Sequence, residues 1–321
     1  MTSANRLPAA AYPALHSILE ALAQACPTLG ADLPSSLVRQ LHQLAGQLPA
    51  KAAQGPRVAQ QRTLTIDGAL ALAAAAQELL PALGESTQAL AQTLDDLTAH
   101  LGAALRRQQA HRIYGLYVII DPQVTGGRDP LEVARAAVRG GAKILQLRDK
   151  LRDKGQILPL ATALNQLCRD HDVTLIINDH VDLAAAVGSH GVHVGQTDLP
   201  VAEARKVLAP HQVLGRSNRE IDLLVQSQEM GADHVAFGAI YQTTTKPGGR
   251  PPQGVQRLRE ARAAAKVPLV AIGGINADNA GPVVQAGADA ICVTAAVGNA
   301  PDPEAAAHRL VQAIRAAGGR A

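Results

Sequence analysis

The chain has 321 residues, 47% of them apolar, enough to bury a core and, at roughly 150 residues per domain, enough for two domains. Thirty Lys and Arg against 27 Asp and Glu leave a formal charge of +3, and one Phe, four Tyr and no Trp offer little surface for stacking bases, which argues against a nucleic-acid partner. No apolar run reaches the ~18 residues of a membrane span, and Pro8, Pro13, His16 and Glu20 interrupt the start where a signal peptide would be unbroken, so a cytoplasmic chain with no membrane partner is expected.

Up to residue 112 the sequence is rich in Ala, Leu and Gln, and apolar residues recur at helical spacing over Tyr12–Ala25, Leu37–Leu48, Leu70–Leu80 and Leu90–Leu105. The pattern predicts an all-helical domain over 1–112. Ser35 reads as a helix start, Pro81 and Gly84 as a break, Arg106 and Arg107 as an end, and Pro49 to Arg62 as a loop. Neither a phosphate loop nor an acidic cluster is found there, so packing or self-association is its expected role. Cys26, Cys168 and Cys292 are odd in number, far apart and outside any C-x-x-C spacing; they read as small buried residues rather than disulfide or zinc partners.

From 113 to 321 short Val-, Ile- and Leu-rich runs predict eight strands: Leu116–Ile120, Ile144–Leu147, Val173–Ile177, Val192–Val194, Val213–Gly215, His234–Phe237, Leu269–Ile272 and Ala290–Val293. Helical stretches follow them at Leu131–Arg139, Gln156–Asp170, Leu183–Val187, Val201–Leu208, Glu220–Met230, Val255–Ala264, Ala277–Gln285 and Glu304–Ala316. A helix-to-strand loop repeats as Gly141-Ala142-Lys143, Gly231-Ala232-Asp233 and Gly287-Ala288-Asp289. Eight such units predict an α/β fold, a (β/α)8 TIM barrel preceded by the helical domain. An open doubly wound sheet is disfavoured, because no G-x-G-x-x-G follows the first strand.

In such a barrel the chemistry gathers where the strands end. Strand two runs through Gln146 into Arg148 and Lys150, strand three into Asn178 and Asp179, and strand four from His193 to Gln196 and Asp198. Strand five ends at Ser217, strand six leads to Thr243, Thr244, Thr245 and Lys246, strand seven to Gly273-Gly274, and strand eight to Thr294 and Ala295. Asp179 and Asp198 suit Mg2+, a hard cation that takes oxygen ligands and keeps waters for a substrate phosphate. Arg148, Lys150 and Lys246 add the positive charge a diphosphate needs, and the glycine pair with the turn after strand eight offers backbone N–H groups to a second phosphate. Two anion sites in one mouth imply two small phosphorylated reactants, or one phosphorylated at both ends, and a transfer reaction follows readily.

The segments Gln146-Leu147-Arg148-Asp149-Lys150, Ile177-Asn178-Asp179, Gly191 to Asp198, Thr243 to Lys246 and Ile272 to Ile275 resemble, in order, those of the thiamine-phosphate synthase family over about 113–318. The resemblance implies a transferase that joins hydroxymethylpyrimidine diphosphate to hydroxyethylthiazole phosphate and releases pyrophosphate by a dissociative route in thiamine biosynthesis. It also implies that Gln146, Arg148, Lys150, Asn178, Ser217 and Lys246 hold the diphosphate substrate and that Asp179 and Asp198 ligate magnesium. Thr243, Thr245, Gly274, Thr294 and Ala295 would then receive the thiazole phosphate, with Arg148, Lys150, Ser217 and Lys246 closest to the chemistry. Asn218, Gln242 and Ala295 depart from the family's usual Thr, Pro and Ser.

Blander readings stand beside these. Asp179 and Asp198 could only begin the helices after them, Gly273-Gly274 could serve only a tight turn, and His193 reads as a structural histidine before a catalytic base. The Gly- and Pro-rich Pro247–Gln253 reads as a lid. A thiazole tautomerase of the same superfamily is disfavoured by the full diphosphate clamp, and a non-catalytic sensor of thiamine precursors would bind without turnover. Self-association through the barrel or the N-terminal helices is compatible with either.

Overall fold

The computed structural model describes residues 11–48, 64–83, 87–243 and 251–321, and the chain divides into two units, Met1–Leu105 and Arg106–Ala321. The first is helical. It contains α1 (Ala11–Ala25), a 3₁₀ turn at Cys26–Thr28, α2 (Ser35–Gln47), α3 (Ile66–Leu79), a second 3₁₀ turn at Leu80–Leu83 and the start of α4 (Gln88–Ala110). Apolar residues three or four apart form one face on each helix: Leu15, Leu19 and Leu22, then Leu37 and Leu41, Ala69, Ala73 and Ala76, and Leu94, Leu97 and Leu101, all buried together. Each buried Leu contributes about 2 kcal/mol of transfer free energy.

Helix boundaries moved for local reasons. Ser35 is the first helical residue, and the cap before it is the extended Pro34. α3 begins four residues before Leu70 because Thr65 Oγ1 accepts from Gly68 N at 3.1 Å and Asp67 sits in the first turn. Arg106 and Arg107 do not end α4, since both are good helix formers and Gln108, Gln109 and Ala110 continue the helix. The loop expected from Pro49 to Arg62, and Gly84, lie outside the described residues.

The second unit alternates strand and helix throughout: β1 (Gly115–Ile120), α5 (Pro130–Arg139), β2 (Ile144–Leu147), α6 (Lys154–Asp170), β3 (Thr174–Asn178), α7 (Val181–Val187), β4 (Gly191–Val194) and α8 (Val201–Val207). It continues with β5 (Val213–Asn218), α9 (Ile221–Glu229), β6 (His234–Gly238), α10 (Gly254–Ala264), β7 (Leu269–Ile272), α11 (Ala280–Gln285), β8 (Ala290–Val293), α12 (Ala295–Gly298) and α13 (Pro303–Ala316). All eight strands are parallel, and β1 pairs β8 through Gly115 and Ala290, closing the expected barrel. Gly115 also lies against the last residues: a Cβ there would stand 3.2 Å from Arg320 O, and the Arg320 guanidinium sits 4.0 Å above the Tyr114 ring.

Side chains alternate across the strands. Leu116, Val118 and Ile120 face the helices, whereas Tyr117 and Ile119 join Ile144, Ile176, Val213, Ala236, Val270, Ala290 and Cys292 inside the barrel. The repeated glycines have left-handed φ values of 99°, 92° and 94° at Gly141, Gly231 and Gly287. Lys143 N, Asp233 N and Asp289 N then donate to Leu116, Leu214 and Leu269 O, starting each following strand in register. Most barrel elements begin or end within two residues of expectation, and three differ more. β5 runs on to Asn218, and α11 starts at Ala280 rather than Ala277 because Asn276 Oδ1 accepts from Asp278 and Asn279 N and bends the chain first. α12 was not foreseen, four residues being too few for a periodic signal. Among the described residues no helix is long and apolar enough to cross a membrane.

Candidate active site at the strand ends

A cavity of about 910 Å³ opens where the strands end, and every strand or the loop after it contributes to its wall. Gln146, Arg148, Asn178, Ser217, Thr243, Gly274, Thr294 and Ala295 all line it, so most of the residues named from sequence meet in one place. Lys150, Asp179 and Asp198 do not border the cavity itself; they stand in the loops after β2, β3 and β4. Thr245 and Lys246, with most of the loop expected to act as a lid, lie outside the described residues. The helical unit has a smaller cleft of about 460 Å³ lined by Gln40, Gln43, Gln47 and Gln92, whose one carboxylate, Asp96, accepts from Gln92 Nε2.

On the β1–β4 side both described cations expected to grip the diphosphate meet a carboxylate. Arg148 donates to Asp121, which is 1% exposed at the end of β1, and Lys150 donates to Asp179. Between the two cations, Asp149 shapes the turn: its Oδ1 accepts from Leu151 N and Arg152 N at 3.0 and 3.1 Å. Burial pushes the Asp149 carboxyl up, but those N–H groups and the Arg152 guanidinium outweigh it and hold it below its ordinary value. Deeper in, Gln146 Nε2 donates to Tyr117 Oη at 2.5 Å. Burial raises the Tyr117 phenol well above its ordinary value, with Cys292 adding to the effect, so it stays protonated and keeps a proton to donate.

Asp179 adopts φ 60°, uncommon for a residue with a side chain, and its N–H donates to His193 O at 2.8 Å. That bond ties the turn carrying Asp179 to the neighbouring β4. There Asp198 Oδ2 accepts from Gly195 N at 2.7 Å, closing a loop before α8, whose cap is Pro200. Neither aspartate caps a helix: His180 and Pro200 occupy those positions. Two carboxylates on adjoining loops fit a hard cation. The described residues assemble no group of three acidic, His or Cys side chains, so a hard cation held by these two would take its further ligands from water or a substrate phosphate.

His193, 8% exposed, lines the cavity and places Nε2 2.8 Å from Ser217 Oγ. Behind it His234 Nε2 stands 3.5 Å from His193 Nδ1, and Gly215 leaves the room they need, because a Cβ there would collide with His234. The His193 ring is thus both a structural partner and a wall of the site. Asn218 has a packing reason: its Oδ1 accepts from Ser227 Oγ at 2.7 Å and Gln196 Nε2 at 3.1 Å.

The opposite wall includes the glycine pair after β7. Gly273 and Gly274 have φ 104° and 64°, and a Cβ on either would strike Ala239 or the Gln242 carbonyl. Asn279 secures this turn, donating from Nδ2 to Gly274 O at 2.9 Å and accepting from Asn276 N at 2.8 Å. Thr294 caps α12, the short extra helix after the last strand that often completes a phosphate site in such barrels. Sequence reasoning missed Asp121 and Tyr117. Asp121 follows β1 as Arg148 follows β2, so the same strand-end rule applied to the first strand would have found it; Tyr117 had only its inward register to reveal it.

Residues 116–297 match the family model described as thiamine monophosphate synthase. The thiamine-phosphate synthase of Moorella thermoacetica is 44% identical over 207 residues, covering 64% of this chain and 99% of that protein. That of Thioalkalivibrio sulfidiphilus is 45% identical over 205 residues, covering 63% and 96%. Among solved structures, the thiamine phosphate pyrophosphorylase of Pyrococcus furiosus aligns with a TM-score of 0.60 at 32% identity, over 65% of this chain and 98% of that one.

Proposed function

Because the chain belongs to the thiamine monophosphate synthase family, we propose that its barrel joins 4-amino-2-methyl-5-hydroxymethylpyrimidine diphosphate to hydroxyethylthiazole phosphate, releasing pyrophosphate, in the cytoplasm. The observation that carries this reading is the convergence of Arg148, Asn178 and Ser217 on one wall and Thr243, Gly274 and Thr294 on the other wall of a single cavity. Such a site holds two anions facing one another.

Arg148, Lys150, Asn178, Ser217 and Lys246 grip the diphosphate, and Gln146 orients the pyrimidine. Asp179 and Asp198 would hold magnesium, whose chemistry there is neutralising charge on the leaving diphosphate. The methylene carbon–oxygen bond breaks with its electron pair departing on pyrophosphate. The aminopyrimidine stabilises the methylene cation, and the thiazole nitrogen lone pair then forms the new carbon–nitrogen bond. The chain supplies no nucleophile; its donors stabilise the charge that builds on the leaving group and hold the thiazole in line. Thr243, Thr245 and the backbone at Gly274 and Thr294–Ala295 seat the thiazole phosphate.

The test is a pyrophosphate-release assay on the full chain. Release is expected only with magnesium and both substrates present. Release without the thiazole phosphate, or binding of both without release, overturns the reading.

A further inference from the structure

The loop between β1 and α5 reaches both halves of the site, and its two contacts are of different kinds. At its start Asp121 borders the cavity and pairs with Arg148. At its end Arg128, which does not border the cavity, turns toward the far side of α12. Its Nη1 donates to Thr125 O at 3.0 Å and Gly298 O at 3.2 Å, and its Nη2 to Ala300 O at 2.7 Å and Pro301 O at 3.1 Å.

One planar guanidinium thus joins a carbonyl of its own loop to three carbonyls at and just beyond the end of α12, an arrangement that its fork of donors can satisfy and a lysine cannot. The last carbonyls of a helix carry partial negative charge, so a fixed cation also suits them electrostatically. Local structure holds the arginine in place. Before it Gly126 and Gly127 take left-handed φ of 60° and 80°, and directly after it Asp129 caps α5 by accepting from Leu131 N at 3.0 Å. Contact with α12 is close, because a Cβ on Gly298 would collide with Val124 O. The opposite end of this four-residue helix is Thr294 to Ala296, which forms cavity wall.

We propose that Arg128 is a positioning residue for the phosphomonoester half of the site, setting through the α12 backbone where Thr294 and Ala295 meet that substrate's phosphate. The inference rests on the synthase reading for the identity of the phosphomonoester. Its signature is selectivity: α12 borders the phosphomonoester side, whereas the same loop's influence on the diphosphate runs through Asp121 and Arg148.

Steady-state kinetics of the full-length wild type, Arg128→Gln and Arg128→Lys chains test it. Arg128→Gln is expected to raise KM for hydroxyethylthiazole phosphate about tenfold, with kcat and the KM for the pyrimidine diphosphate changed less than about twofold. Arg128→Lys should fall between, and it carries the test if the Gln variant does not fold. Asp121→Asn should show the reverse split. Equal rises in both KM values, a loss of kcat alone, or no change overturns the inference. Calorimetric titration with the thiazole phosphate separates the two readings. A wild type that binds it without turnover refutes the synthase alone, equal binding by wild type and Arg128→Gln refutes the positioning role alone, and a wild type that does not bind refutes both.

Discussion

Asp179 joins three demands in one residue: a left-handed backbone, a hydrogen bond from its N–H to the neighbouring strand and a carboxylate that already engages Lys150. A non-glycine residue in that conformation costs of order 1 kcal/mol or more, which is tolerated where the surroundings over-determine it and the side chain has work to do. Asp179→Ala removes a carboxylate proposed to hold magnesium and leaves Lys150 without this partner, while Gly274 stands in the loop after β7. Turnover should fall by at least two orders of magnitude while calorimetric affinity for the thiazole phosphate stays within about twofold. Equal loss of both would refute the division of the cavity into two anion sites.

At the level of elements, the barrel turns on places where a side chain would not fit. Gly215 is the clearest case within a strand, since His193 and His234 occupy the space its Cβ would take. Gly215→Ala should destabilise the chain by roughly 1–3 kcal/mol, and by displacing His193 it should also disturb Ser217 and lower turnover. A denaturation midpoint equal to wild type would show that the two rings have room to move. Strand identity was legible because a strand buried on both faces reads as a short Val/Ile/Leu run, and the Gly-Ala-Lys/Asp loops marked where helices returned to the sheet. The cations and carboxylates beyond those runs were legible for the same reason: polar groups stood where apolar spacing stopped. Pairing was not legible. That Arg148 meets Asp121 and Lys150 meets Asp179 depends on which loops adjoin across the closed sheet. The start of α11 was set by the Asn276 bonds, a single-residue signal that no periodicity reports, and α12 is too short for one.

For the whole molecule, pH acts through histidines that fold in the neutral state. Burial lowers His190 from 6.5 to about 4, helped by Arg112, His211 and Arg169 and opposed by Asp172; burial and His193 likewise drive His234 well below its ordinary value. Above pH 6.5 these side chains are neutral folded or unfolded and contribute no pH dependence. Between about 6.5 and 4 the unfolded chain takes up protons that the folded one refuses, so stability falls as pH falls, by about 1.4 kcal/mol per pH unit for each such group. Urea midpoints followed by the near-ultraviolet signal of buried Tyr117 should drop across that window, and His190→Gln should make the drop shallower. An unchanged slope would remove His190 from the account.

The adjacency of Gly115 to Arg320 and Ala321 carries a topological meaning. A closed ring of strands has no intrinsic first member, and here the start of β1 lies beside the residues that follow α13. With the helical unit removed, joining the two by a short bridge and opening one of the helix-to-strand connections would rearrange the order of the same cylinder, with the strand-to-helix loops that line the cavity left whole.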